Sequence, residues 1–401
     1  MSKRFMLFLL ITLVFGGYAL GQGLVPVRDL PAYKGGAERV NDQPQFDFHG
    51  GATLWYYRPN QSYIDENFSI YFAYLDTDIT YERYGVHAET RFSEHKFRGY
   101  YPSNIWFQEA YGYYRGANYI VKVGKEYTHF GKFWDGSYYG NVLYYDGLVL
   151  NPDNGVSLEG SLPNLHGWKL NYYAQYFVID GSTNGSLDPY GQKGEGGLNG
   201  EETGDGAPIE STCIDSNGNF IRGCQSGRDA VSVPGAHRRN EAILRLEPTF
   251  TLPHNNKLTL GLNYEYLLAD LSPILPHRFN VNRYAADVTF AHVNWAVFFE
   301  WAHQQGYTVT DFPLYDQPSK SIDYYWAGTS YKFGKCQAYF NYSDAYYHDE
   351  NIHDITYVPG LSYQFNQFLS GAIEYANWLR MHSGSVSMND NSFNFILNMG
   401  I

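Results

Sequence analysis

Charged side chains recur at alternate positions of this chain, and the chemistry that suits them is charge selection rather than bond making. Arg91, Arg115, Lys122, Lys125 and Arg245 can form a basic wall, with Glu89, Asp135 and Asp146 as an opposing acidic one. Across a narrow aqueous neck, two such walls set up a transverse field that orders water and filters polar solutes. Each charge taken singly also fits a solvated lumen or loop position. Glu109, Glu241 and Glu265 are interspersed among the bases. The sequence has no G-x-S-x-G, no H-E-x-x-H and no Gly-rich phosphate loop, so no catalytic residue and no cofactor are expected. An outer-membrane hydrolase is the rival reading, and a surface adhesin or structural barrel built around the longest loop is a third.

Walls of this kind need a closed sheet to hold them apart. Residues 392–401 read SFNFILNMGI, with Phe393, Phe395, Leu397, Met399 and Ile401 on one face and Asn394, Asn398 and Gly400 mainly on the other. Between residues 84 and 93, Tyr84, Val86, Ala88 and Phe92 share one parity, while His87, Glu89, Arg91 and Ser93 share the other. Trp168, Leu170, Tyr172, Ala174, Tyr176 and Val178 alternate in the same way with Lys169, Asn171 and Gln175. Repeated along the chain, the pattern predicts an all-β fold: a transmembrane antiparallel β-barrel of about 16 strands, apolar outside and wet inside.

The separators alternate in length. Gly116-Ala117-Asn118, Pro253-His254-Asn255-Asn256, Gly334-Lys335 and Asn366-Gln367 are tight-turn sequences. Between them fall longer polar stretches at 58–66, 94–104, 128–154, 180–238, 269–281, 306–320 and 380–390. Short turns on one side and long loops on the other are the plan of an outer-membrane barrel. The 180–238 stretch is polar and Gly-rich and reads as a mobile surface cover.

Composition agrees. The 401 residues include 39 Tyr, 26 Phe and 8 Trp, which favours a sheet-rich chain with aromatic anchors. A mean hydropathy of -0.41 suits a barrel in which only alternate strand residues meet lipid. The formal net charge of -13 excludes a nucleic-acid partner, which would need a basic footprint. Lys3 and Arg4 precede an apolar run from Phe5 to Phe15, so residues 1–21 read as a signal peptide, with a membrane anchor as the alternative. Residues 22–45 then form a periplasmic leader, and 46–401 the barrel. Export to the outer membrane of a Gram-negative bacterium follows, with outer-membrane lipid as a partner. Cys213 and Cys224 lie close together in a polar segment, which suggests a loop disulfide over a metal site. His348-Asp349-Glu350 with His353 and Asp354 offers metal-ligand types, but reads as a solvated loop tip, so no metal is expected.

The segment VGKEYTHFG, within a block running from Val121 to Gly160, resembles the strand and Phe-Gly turn of outer-membrane porins of the phosphate-selective O and P group. The resemblance implies an aqueous channel for passive diffusion of ions and small polar solutes. It also implies a homotrimer, assembly by the barrel assembly machinery, and a third outer loop folded inward. On that reading Lys125, Tyr127, His129 and Lys132 enter the constriction, with Trp134, Asp135, Tyr138, Tyr139 and Asp146 on the inserted loop. The aromatic residues there either stack on sugar rings or brace the loop. The chain departs from the family in its acidic total and in ending at Ile401 instead of an aromatic residue.

Overall fold

Period-two alternation continues around a complete ring. The computed structural model describes residues 43–59, 67–92, 105–132, 153–165, 168–180, 237–270, 278–306, 320–348 and 351–400. The first eight strands are β1 (Gln45–Pro59), β2 (Asn67–Tyr81), β3 (Tyr84–Phe92), β4 (Ile105–Arg115), β5 (Tyr119–Glu126), β6 (Asp153–Leu165), β7 (Trp168–Asp180) and β8 (His237–Leu252). The next eight are β9 (Asn256–Asp270), β10 (Arg278–His292), β11 (Trp295–Gly306), β12 (Lys320–Phe333), β13 (Cys336–Tyr347), β14 (Ile352–Asn366), β15 (Leu369–His382) and β16 (Ser385–Gly400). Each pairs antiparallel with its sequence neighbours, and β1 closes on β16 from Gly51↔Gly400 to Pro59↔Ser392. Closure removes every sheet edge, so the ladder groups find partners without water. No helix among the described residues is long and apolar enough to cross a membrane.

The two faces are inverted relative to a soluble protein. Leu262 is 60% exposed while its neighbour Asn263 is 7% exposed. Phe107, Val123, Val178, Leu244, Ile373 and Phe393 are likewise exposed on the outer face, whereas Glu265, Arg283, Asp287, Glu300 and Glu374 are buried on the inner one. A water-soluble monomer rarely carries a contiguous apolar patch beyond a few hundred Å². Cross-strand aromatic pairs stiffen this outer surface: Tyr264 packs tilted against Tyr284 at 5.3 Å and Tyr375 against Phe393 at 5.1 Å, each directly opposed in register. Such pairs contribute roughly 0.2–1 kcal/mol apiece.

The strand count and the four tight turns match the sequence reading. The expected long loop at 380–390 does not form. β15 runs through His382 and β16 starts at Ser385, joined by Ser383 and Gly384 with φ of 50° and 83°. Two successive positive-φ residues make the hairpin turn whose twist matches its strands, so the polar residues around it extend the ladder. Most of the expected signal peptide and leader, residues 1–42, lies outside the described residues.

Gly124 on β5 holds a backbone conformation that L side chains rarely adopt. Its φ is 144°, and an added Cβ would overlap the Ala110 carbonyl and lie 2.7 Å from the Tyr111 Cα. Gly124→Ala is expected to destabilise the barrel by about 1–3 kcal/mol, the range for a residue forced into such a conformation. Thermal unfolding in detergent checks this, and an unchanged midpoint would refute the strain.

Candidate functional site

The chain leaves β5 and enters the lumen. Tyr127 donates its backbone N–H to Glu109 on β4 at 3.3 Å, and His129 donates its own to Gln175 on β7 at 2.6 Å. Gln175 in turn donates to the Tyr127 carbonyl at 3.0 Å. Two residues later the Gly131 N–H reaches Asn263 on β9 at 3.1 Å, and the Lys132 N–H reaches both oxygens of Glu300 on β11 at 2.9 and 2.8 Å. From β5 to β11 is six strand spacings, an arc of roughly 29 Å. Six residues extend at most about 22 Å, so residues 127–132 take a chord met by side chains from the wall. Phe130 is fully buried among Phe177, Ile243, Ala285, Ala302 and the β12 side chains Tyr324 and Trp326.

Two charge clusters flank this chord. On the β4–β6 side, Lys122 places its ammonium 2.8 Å from Glu159 and 3.3 Å from Glu126, over the ring of Tyr111. The His129 ring stacks on Tyr173 at 4.7 Å and lies 3.9 Å from Glu159. Nearby, Arg91 donates to Glu89 at 2.5 Å and to the Tyr127 hydroxyl at 3.1 Å. On the β8–β11 side, Arg245 bridges Asp287 and Glu247 at 2.7 Å each and also donates to Asn263 at 2.8 Å. The Lys132 ammonium donates to Thr289 at 2.9 Å and lies 3.7 Å from Asp287.

Of the residues singled out from sequence, Glu89, Arg91, Lys122, Tyr127, His129, Lys132 and Arg245 come together around the chord. Arg115 faces inward one residue before the tight turn at 116–118, where it lies over the Tyr113 ring at 4.7 Å, away from the chord. Lys125 does not line the lumen. It has the odd parity of Tyr119 and Val123, which are exposed on the outer face, and its ammonium donates to the Phe107 carbonyl at 2.8 Å. Among the described residues, Arg91, Lys122, Lys132 and Arg245 each have a carboxylate beside them. Trp134, Asp135, Tyr138, Tyr139 and Asp146 lie outside the described residues, as do Cys213 and Cys224. Gln175, Asn263, Asp287 and Glu300 were missed, although all are inward positions of alternating strands.

No family model matches the chain, and no curated protein does. Solved structures do. The outer membrane channel DcaP of Acinetobacter baumannii superposes with a TM-score of 0.53 over 89% of this chain and 97% of its own, at 10% identity. An anion-selective porin from Comamonas acidovorans gives 0.52 over 90% of this chain and 100% of its own, also at 10% identity. OmpT, an outer membrane protein of Vibrio cholerae solved in a trimer form, gives 0.54 over 90% and 100%, again at 10% identity. At these identities the likeness is one of fold, and the fold of this chain is the closed 16-stranded barrel seen in outer-membrane porins and channels.

Proposed function

We propose that this chain is an outer-membrane porin that admits ions and small polar solutes by passive diffusion and prefers cations. The carrying observation is a closed ring, apolar outside, whose inner face is charged and acidic. Among the described residues, the buried inner face holds Asp76, Glu126, Asp153, Glu241, Glu265, Asp287, Glu300 and Glu374 against Lys122, Arg245 and Arg283. Rings of carboxylates favour cations in a pore. That excess sets this chain apart from the phosphate-selective porins that VGKEYTHFG resembles. Residues 127–132 cross the lumen and narrow the channel. A trimer suits the proposal, as OmpT was solved in a trimer form. The proposed function involves no catalytic step.

Planar-bilayer recording under a salt gradient tests it. Stable ohmic steps with a cation-side reversal potential are expected; an electrically silent barrel, or an anion-side potential, would overturn it. The same recording separates two lysines. Lys132→Glu should move the reversal potential further towards cations, because its ammonium faces Asp287 in the lumen. Lys125→Glu should leave it in place, because that side chain lies on the outer face. Equal shifts would show that the parity assigned to β5 is wrong.

A further inference from the structure

The outer rim carries an arrangement that the channel does not use. His303 and Asp323 are directly opposed across β11 and β12, so both project from the outer face. Tyr346 opposes Asp323 on the other side. The ladder then continues one residue past β13, where the His348 N–H donates to the Ser321 carbonyl at 3.2 Å. This step sets His348 diagonal to Asp323 and on the same face. The Asp323 carboxylate sits between the two imidazoles: Oδ1 is 2.9 Å from His303 Nδ1 and Oδ2 is 2.8 Å from His348 Nε2. All three ligand atoms lie within 4.8 Å of one another. Side-chain exposures of 28%, 16% and 37% leave the group accessible on the outer surface, near the ends of β11 and β12.

We propose that His303, Asp323 and His348 bind a divalent transition-metal ion of the zinc class. Two imidazole nitrogens and one carboxylate oxygen form a borderline donor set that suits zinc and its neighbours, whereas calcium and magnesium take oxygen cages. Ligands about 2.0–2.1 Å from a tetrahedral centre stand roughly 3.3 Å apart. The two His–Asp hydrogen bonds therefore open by a few tenths of an ångström as the ion replaces their protons. Each imidazole ligates as the neutral ring, with its proton on the other nitrogen. Water completes the coordination, and no redox or covalent step is involved.

The surroundings hold the ligands in place. The Trp301 indole donates to Asp323 Oδ1 at 3.2 Å, a second contact that fixes the carboxylate. The Tyr346 ring packs 4.5 Å from His348 and 4.2 Å from His353. His353 itself is engaged with Asp344 at 3.1 Å. The site lies on the opposite side of the wall from the lumen, so it does not depend on the channel reading.

Calorimetric titration of the full-length, untagged protein in detergent with Zn²⁺ alone tests the proposal, with metal content measured after dialysis. The wild type should bind one Zn²⁺ per chain. Asp323→Asn and the double change His303→Ala with His348→Ala should abolish that stoichiometric binding, and Trp301→Phe should weaken it about 10-fold or more. His353→Ala should bind as the wild type does. All of these side chains point away from the lumen, and an unchanged thermal midpoint confirms that each variant has folded. Absence of saturable binding in the wild type would overturn the site. So would binding that survives the double change, or equal weakening by His353→Ala.

Discussion

Replacing Phe130 by alanine is expected to raise the single-channel conductance and release residues 127–132 from their chord. Phe130 is fully buried, with Phe177, Ile243 and the β12 side chains around it. Removing a buried phenylalanine costs about 3–5 kcal/mol, transfer and cavity together. Each neutral hydrogen bond along the chord contributes only about 0.5–1.5 kcal/mol net. The aromatic anchor therefore outweighs any one of the contacts to Gln175 or Asn263, and losing it leaves the segment held mainly by Lys132 and Glu300. Amide exchange at Gly131 and Lys132, whose N–H groups donate to Asn263 and Glu300, should speed up. Phe130→Leu keeps most of the apolar area and should fall between the two. Unchanged conductance together with unchanged exchange would mean that the hydrogen bonds alone position the segment.

Much of this barrel can be read from period two, because a strand side chain has only two faces to choose between. Counting from Lys122, which faces inward, places Glu126 inside and Lys125 outside. A basic wall that includes both Lys122 and Lys125 mixes the two parities of one strand, and only Lys122 has the inward one. The last outer loop was misjudged for a different reason. Ser, Asn and Asp around 383–391 mark loops in soluble chains, but in a barrel the strands can run on past the apolar belt, where polar residues are at home. What sequence cannot supply is register. Arg245, Asp287 and Lys132 come from β8, β10 and the segment after β5, and only the pairing of β8 with β9 and of β9 with β10 brings them together. The same holds for His303, Asp323 and His348, which depend on the opposition of β11 with β12 and on one extra ladder bond after β13. The adjacent His348-Asp349-Glu350 cluster was conspicuous in sequence, yet His348 turns to Asp323 and His353 to Asp344.

Arg245→Ala is expected to give the largest loss of stability among the lumen charges, together with a further shift towards cations. Its guanidinium donates to Asp287, Glu247 and Asn263, so the planar fork is engaged on every nitrogen. Arg245 is 3% exposed, which sets the regime. A solvent-screened pair would contribute about 0–1 kcal/mol, whereas removing one partner of a buried pair costs about 3–5 kcal/mol because the other charge is stranded. After truncation, Asp287 would retain the Lys132 ammonium at 3.7 Å and the Asn263 amide at 3.5 Å, and would stand close to Glu247 without a bridging cation. Arg245→Lys keeps one positive charge but cannot span both carboxylates, so it should fall between wild type and alanine. Pairing Arg245→Met with Asp287→Asn removes the Arg–Asp pair but leaves Glu247 without its cation, so it should recover only part of the midpoint lost by alanine. Thermal unfolding in detergent separates these cases. A loss under about 1 kcal/mol for alanine would mean that water screens Arg245, placing it in the open conducting path. In that event the cation shift should grow, because an exposed guanidinium opposes cation flow directly, whereas a buried one is already neutralised by Asp287 and Glu247.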